Sequence, residues 1–462
     1  MAYTYTEGEK KVRPGVYERT SSTGSAAGAG ALNGVVALVM AANWGPVDKV
    51  TVHETAKSIR ATYGTGENVE AACSLFTAGA SRVYIKRLNG ANGTAGTVGT
   101  KTIEPALKID TKYPTSRTFK IEIKAKIGDN TKKQVVIKEG STILENFEFA
   151  TDATDETAAF LDAVAGSAYI TVTKLAAGIV AVGEYEVKGT DPANVTADYA
   201  DAFYALEPFS YNTLATDSID ADVFAILTAY ESEAAGNGKK LMVVGGTTPS
   251  TDFDTRCKNA AACNSKGVIY FGGSWADSNG KTIEGVPAII YVAGVIAATP
   301  ANKGIVHTQV KGATDVPEKL TNAQYIEAIQ NGLLLVSAGP EGQVWFDSAI
   351  NTLVTLDADQ DEGWKKIRRV KTRYELMDRI DRTLAPKVGK VNCSPDGIAY
   401  IIQCGSGVIK EMIAENKLSY GSFYEDPERP HQGDSAWFII EADDIDSLEK
   451  IYLHYQYRYS AV

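Results

Sequence analysis

Apolar positions along the chain follow two different rhythms, and these divide it into regions. Val35-Val36-Ala37-Leu38-Val39-Met40 has no polar position, the mark of a strand buried on both faces. A helical stretch at 68–78 and a strand at 82–88 follow it, and strand–helix–strand order predicts an α/β core. The same rhythm returns after residue 200, with helices at 222–234 and 252–265 alternating with buried strands at 240–245 and 268–272. The run at 287–298 is apolar with small residues throughout, which suits a buried helix. Thr321-x-x-Gln324 is a capping-box pattern that opens a helix at 321–330 and stops at Gly332. A hairpin around Gly339-Pro340-Glu341-Gly342, a long helix at 362–384 and a strand at 436–442 complete this region.

Between the two stretches the period becomes two. Phe119, Ile121, Ile123, Ala125 and Ile127 alternate with charged residues, Val135 and Ile137 keep the same spacing, and Glu139-Gly140-Ser141 forms a turn before 143–149. A short helix at 156–164 and strands at 169–174 and 179–187 follow. A Gly/Asn/Thr-rich linker at 89–100 precedes the change of rhythm. The expected architecture is therefore mixed α/β: a discontinuous α/β core (31–97 and 201–449), a β-rich domain inserted at 98–200, an extended N-terminal arm (1–30), and a C-terminal strand arm (450–462).

Both arms carry adhesive side chains without enough apolar surface to fold alone. Tyr3, Tyr5, Val16 and Tyr17 mark the first arm, which ends in small residues at 21–30. In the last, Ile451, Leu453, Tyr455, Tyr457 and Tyr459 fall on one side of a strand. An edge strand of the chain's own domain is the plainer interpretation, and a strand added to a neighbour's sheet the sharper one. In the long helix, Trp364, Ile367, Val370, Tyr374, Met377, Ile380 and Leu384 make one apolar stripe. At about 100° per residue, Lys365, Arg368, Arg379 and Arg382 fall opposite it, with Lys366, Arg369, Lys371 and Arg373 thickening the charge. Such a face is either solvated or turned toward an acidic partner.

Charge narrows the partners. With 46 Lys and Arg against 57 Asp and Glu, the net charge is −11, which argues against nucleic acid. Five cysteines without a C-x-x-C pair fit neither a disulfide framework nor a zinc knuckle. The first thirteen residues lack the apolar stretch of a signal peptide, and apolar runs such as 289–298 are too short to cross a bilayer.

Motifs that suggest chemistry fail on spacing. Asn279-Gly280-Lys281-Thr282 ends like a phosphate-binding loop, but Trp275 stands where the first glycine belongs. Gly28-x-Gly30 and Gly34 miss the dinucleotide spacing and precede their strand instead of following it. Asp357, Asp359 and Asp361 alternate like calcium ligands, yet the turn glycine comes late at Gly363 and Arg368 holds the position of the bidentate Glu. There is no G-x-S-x-G elbow, and His53, His307, His431 and His454 are scattered. No catalytic, cofactor or metal residues are expected. An α/β enzyme with an unrecognised active site is the competing interpretation, and it would need a clustered nucleophile or metal site.

Arg13-Pro14-Gly15-Val16-Tyr17, the run 34–40 with Trp44-Gly45-Pro46, Ser74-Leu75-Phe76 with Ser81-Arg82-Val83-Tyr84, and 290–300 occur in an informative order. Together with Leu320-Thr321-Asn322-Ala323, Ile350-Asn351-Thr352-Leu353 and Asp443-Asp444-Ile445-Asp446, they resemble the contractile tail sheath family of myophages, defective prophages and R-type bacteriocins. The resemblance is weakest across 98–200. It implies a non-enzymatic structural subunit, without cofactor, that polymerises as a helical sleeve around an inner tail tube. The sleeve shortens to drive that tube through a target cell envelope. Implied partners are further copies of the chain, the tube, baseplate and tail terminator proteins, with neither nucleic acid nor membrane insertion. The implied location is a virion or phage-tail-like particle assembled in the host cytoplasm, with phage and bacteriocin left open. By the same analogy, Lys365, Lys366, Arg368, Arg369, Arg379 and Arg382 would grip the tube and both arms would join neighbouring subunits.

Overall fold

The computed structural model describes residues 2–4, 16–18 and 33–458. Its spine is a seven-stranded sheet in the order Leu333–Leu334, Val268–Phe271, Met242–Gly246, Thr213–Thr216, Val35–Met40, Arg82–Arg87, Val50–His53. Every neighbouring pair is parallel except the last, where Val50–His53 runs antiparallel as an edge. All six residues of Val35–Met40 are buried, as a strand covered on both faces requires. Three of the seven strands, Thr213–Thr216, Val50–His53 and Leu333–Leu334, escape the sequence pattern because two to four residues show no period, whereas the equally short Val268–Phe271 stands out by its unbroken apolar run.

One face of the sheet is covered by helix Val286–Ala298, packed against helix Glu67–Ala78, and by Trp364, Ile367 and Val370 of the long-helix region. Ten consecutive residues of Val286–Ala298, Ala288 to Ala297, are buried, so this central helix is enclosed on all sides. Gly294 permits its close approach to Glu67–Ala78: a Cβ there would lie 2.7 Å from the Ala78 Cβ and 3.1 Å from the Leu75 carbonyl oxygen. The opposite face is covered by helices Thr196–Leu206 and Ala221–Gly236 through Phe203, Leu206, Leu227 and Tyr230. Thr196–Leu206 straddles the expected domain boundary at 200 and packs with the core.

The β-rich insertion has a core of its own, with a four-stranded and a three-stranded sheet enclosing Phe119, Ile121, Ile123, Val135, Ile137, Phe149 and Phe160. One member of that core comes from outside it. Trp44, on the loop after Val35–Met40, is buried with its ring edge-on to Tyr113 and Phe119, both at 5.2 Å between centroids. Beneath it Arg87, fully buried, donates from Nη1 to the Gly45 carbonyl at 2.6 Å and from Nη2 to that of Pro114 at 2.9 Å. Burial pushes Arg87 down to about 10. The two regions are thus joined by a buried plug as well as by the chain.

The expected helix at 362–384 is broken at its start. Glu362–Lys365 is a 3₁₀ turn, Lys366 is extended, and the α-helix runs Ile367–Leu384. A second long helix, Pro395–Ala414, then packs beneath a two-stranded antiparallel hairpin, Leu418–Glu425 with Phe438–Asp444. Residues 445–458 form no regular element. The strand expected at 450–462 is absent over its described part, since strand geometry needs a partner edge that this stretch lacks. At the other end Ala2–Thr4 and Val16–Glu18 pair with each other in parallel, Tyr3 opposite Tyr17.

Candidate functional site

Among the described residues no group of three or more His, Cys, Asp or Glu is placed to hold a metal ion, and no helix is long and apolar enough to cross a membrane. The Gly280-Lys281 stretch is the tip of a hairpin whose Asp277 carboxylate accepts from the amides of Asn279 and Lys281. Asp361 caps the 3₁₀ turn, accepting from the Gly363 amide at 2.8 Å.

The basic stretch of the long helix is where the structure departs most from the wheel projection. Arg368 and Arg379 lie 7% and 4% exposed, not on an open face. The helix is clad by the sheet side of the core and also by the C-terminal segments, so two of its sides are interior. Lys366 Nζ reaches Asp446 at 2.6 Å and Glu449 at 3.0 Å, and Arg369 grips Asp444 through Nε and Nη2 at 2.6 and 2.7 Å. Arg373 also meets Asp444, at 3.2 Å, and Arg368 Nη1 donates to Ser447 Oγ at 2.9 Å. Further along, Arg379, Glu375, Glu415 and Lys417 form a largely buried network, with Arg379 Nη2 to Glu415 at 2.9 Å and Lys417 Nζ to Glu375 at 2.6 Å. Lys365 and Arg382, nearer the surface, pair with Glu362 and Asp378. All six candidate cations therefore have carboxylate or hydroxyl partners within the chain, and three of them hold residues 444–449.

Those residues are the root of the C-terminal tail. Beyond the root the tail leaves the molecule: Ile451, Tyr452, Leu453, Tyr455 and Tyr457 are 69% to 92% exposed. Leu448 is exposed as well, and the rings of Tyr455 and Tyr457 stack at 6.5 Å. Soluble chains rarely display such a run of large apolar side chains without a surface to cover them. The hairpin next to the root has one face on helix Pro395–Ala414, where Phe423 fills the space left by Gly405, and exposes Tyr420 and Ile440. Of the N-terminal candidates, Tyr3, Val16 and Tyr17 lie in the paired strands, whereas Tyr5 lies outside the described residues, as does Tyr459 at the other end. Pattern reasoning located the tail and the basic stretch separately. Their pairing spans 75 to 83 residues of sequence, which no local periodicity reports.

The root is an electrostatic clasp with a definite pH dependence. Burial alone would raise the Asp444 carboxyl, but the hydrogen bond from Arg369 and the Arg373 guanidinium outweigh it and hold the group below its usual 3.8. A depressed carboxylate contributes stability above its unfolded pKa and loses it as pH falls through the folded value. Acidification below about pH 4 should therefore release residues 444–449 and make the tail's root susceptible to an acid-active protease. Arg369→Ala should do so at neutral pH, costing on the order of 2 kcal/mol in urea denaturation, because a buried carboxylate loses its bidentate partner.

The phage tail sheath protein central domain family model matches residues 193–352. The XkdK protein of the phage-like element PBSX of Bacillus subtilis is 21% identical over 477 residues, covering 98% of each chain. Among solved structures, the sheath tail protein of Desulfitobacterium hafniense superimposes with a TM-score of 0.72 at 20% identity, over 93% of this chain and 100% of that one. The helical sheath of the anti-feeding prophage in its contracted state gives 0.58 at 11% identity, over 97% and 99%.

Proposed function

We propose that the chain is a structural subunit of a phage tail sheath, a reading supported by the sheath central-domain match over residues 193–352, and that it polymerises by laying its apolar tail on the next copy, forming a helical sleeve around an inner tube. The observation that carries this reading is the tail itself: a run of exposed Ile, Leu and Tyr fastened by its root to the core and covered by none of the chain's described residues. Burying apolar surface between copies is favourable at about 25 cal/mol per Å², and repetition of one contact by a fixed screw operation generates a tube. Shortening of the sleeve then drives the tube through an envelope, without a cofactor. Baseplate and terminator proteins would bind at its two ends, and assembly would take place in the bacterial host cytoplasm, in a virion or tail-like particle.

The tube-facing role of the basic stretch is proposed in a narrower form. Lys366, Arg368, Arg369 and Arg379 serve the root and the buried network, leaving Lys365 and Arg382, partnered only near the surface, to meet acidic groups on the tube. Negative-stain images of the purified chain test the function as a whole. Striated tubes or stacked rings are expected, and particles that stay monomeric at every concentration would refute it. Lys365→Glu with Arg382→Glu should weaken co-sedimentation with purified tubes several-fold, more visibly at low salt, since exposed charges are screened beyond about 10 Å at 0.1 M. Unchanged co-sedimentation would remove the tube-facing role while leaving the sleeve intact.

A further inference from the structure

The last turn of the central helix Val286–Ala298 and the residues just after it form a junction that neither arm reveals alone. A helix end leaves carbonyl groups without intrahelical donors, and here each donor comes from a different part of the chain. The Gly34 amide, at the point where the N-terminal region enters the sheet, donates to the Ala297 carbonyl at 2.8 Å. Asn212 Nδ2 reaches the same oxygen at 3.2 Å. Lys371, on the long helix, directs its ammonium at the carbonyls of Ile296, Ala297 and Thr299, and Thr372 Oγ1 adds a bond of 2.9 Å to that of Ala301. A cation is well placed there, because helix carbonyls and the macrodipole both favour positive charge at a C-terminus.

Two to five residues before Lys371 stand Lys366, Arg368 and Arg369, which hold Asp446, Glu449, Ser447 and Asp444. A path therefore runs from Gly34 by hydrogen bonds to the central helix end and Lys371, and from there along the backbone of the long helix to the side chains that hold the root of the tail. We propose that Lys371 is a positioning residue that bolts the take-off points of the two terminal arms to one another through the end of the central helix. This deepens the assembly reading, because arms that leave one rigid block at fixed relative positions set the geometry between neighbouring copies.

Two features suit a bolt better than a chance contact. All three of the ammonium's contacts are backbone carbonyls, so they persist whichever side chains line the site. Burial also pushes Lys371 down to about 7, although Glu375 one turn further on opposes that, so the three carbonyl contacts are made against a desolvation cost.

Hydrogen exchange on the unassembled full-length chain tests the bolt independently of polymerisation, so its failure is distinguishable from failure of the assembly reading. Lys371→Met keeps the stem and removes the donors. Exchange should rise tenfold or more together at 33–36 and 444–449, with strands Met242–Gly246 and Val268–Phe271 unchanged, and Lys371→Arg should restore protection at both roots. Faster exchange at one root only, at neither, or uniformly across the sheet would overturn the proposal. Should Lys371→Met be recovered only unfolded, Thr372→Val removes the single bond to Ala301 at nearly constant shape. It is expected to loosen both roots by a smaller factor, and loosening of one root alone would count equally against the bolt.

Discussion

A chain ending at Glu449 should fold as the full-length protein does and form no tubes at concentrations where the full-length protein assembles. The cut keeps Asp444, Asp446, Ser447 and Glu449 on Arg369, Lys366 and Arg368, so the core retains the contacts that stabilise it. It removes Ile451, Tyr452, Leu453, Tyr455 and Tyr457, which stabilise nothing in the free chain because they are exposed. Ordering an extended segment costs roughly 1–2 kcal/mol per residue, and each backbone hydrogen bond returns only about 0.5–1.5 net. Strand pairing alone therefore roughly breaks even, and the driving force must come from these side chains, at about 1.5–3 kcal/mol for each large apolar group fully buried. The truncated chain should show an unchanged circular dichroism spectrum and thermal midpoint. Its critical concentration for assembly should rise about 100-fold or more, on the order of 3 kcal/mol per subunit. A truncated chain that assembled normally would remove the tail from the mechanism, and one that failed to fold would make it an ordinary structural element.

Trp44→Ala should have the largest effect on the fold itself. The indole sits in the insertion's core but is carried by the loop after a central strand, with the Arg117 guanidinium 5.2 Å over its ring. Emptying such a site costs about 3–5 kcal/mol. The loss should fall on the joint, because the insertion and the central sheet each keep a core of their own. Denaturation should split from one transition into two, the insertion melting first. Excising the insertion would expose Trp44 and leave Arg87 without its bond to Pro114, so a clean excision should stop short of helix Thr196–Leu206 and also replace Trp44 with a polar residue. A single unsplit transition in Trp44→Ala would mean that the linkers alone couple the two regions.

The elements legible in the sequence were those whose pattern is local. The all-apolar run Val35–Met40, the capping box in which Thr321 and Gln324 bond reciprocally, and the insertion strands Thr118–Ala125 and Thr142–Ala150 appear within a residue or two of their expected ends. The strand expected at 179–187 begins only at Gly183, Ile127 lies exposed beyond its strand, and Thr100–Ile103 and Leu107–Thr111 were not expected. Pro395–Ala414 was missed. Gly397, Gly405 and Gly407 lower its helix propensity, and the reason for one of them is tertiary: a Cβ at Gly405 would come within 2.8 Å of the Phe423 ring. The basic stretch was found, but its surroundings were misjudged. A helical wheel assumes one buried side, whereas Arg368 and Arg379 are covered by segments 36 to 79 residues distant. The tail was recognisable by composition. That it has no strand partner among the described residues became visible only with the fold.

The most direct test of the account is a helical reconstruction of the polymerised chain, read at residues 450–458. The account predicts an extended strand lying on a neighbouring copy, with Leu453, Tyr455 and Tyr457 covered by it and the root still clasped by Arg369 and Lys366 of its own subunit. A tail that folds back on its own core, or that remains uncovered between copies, would contradict it.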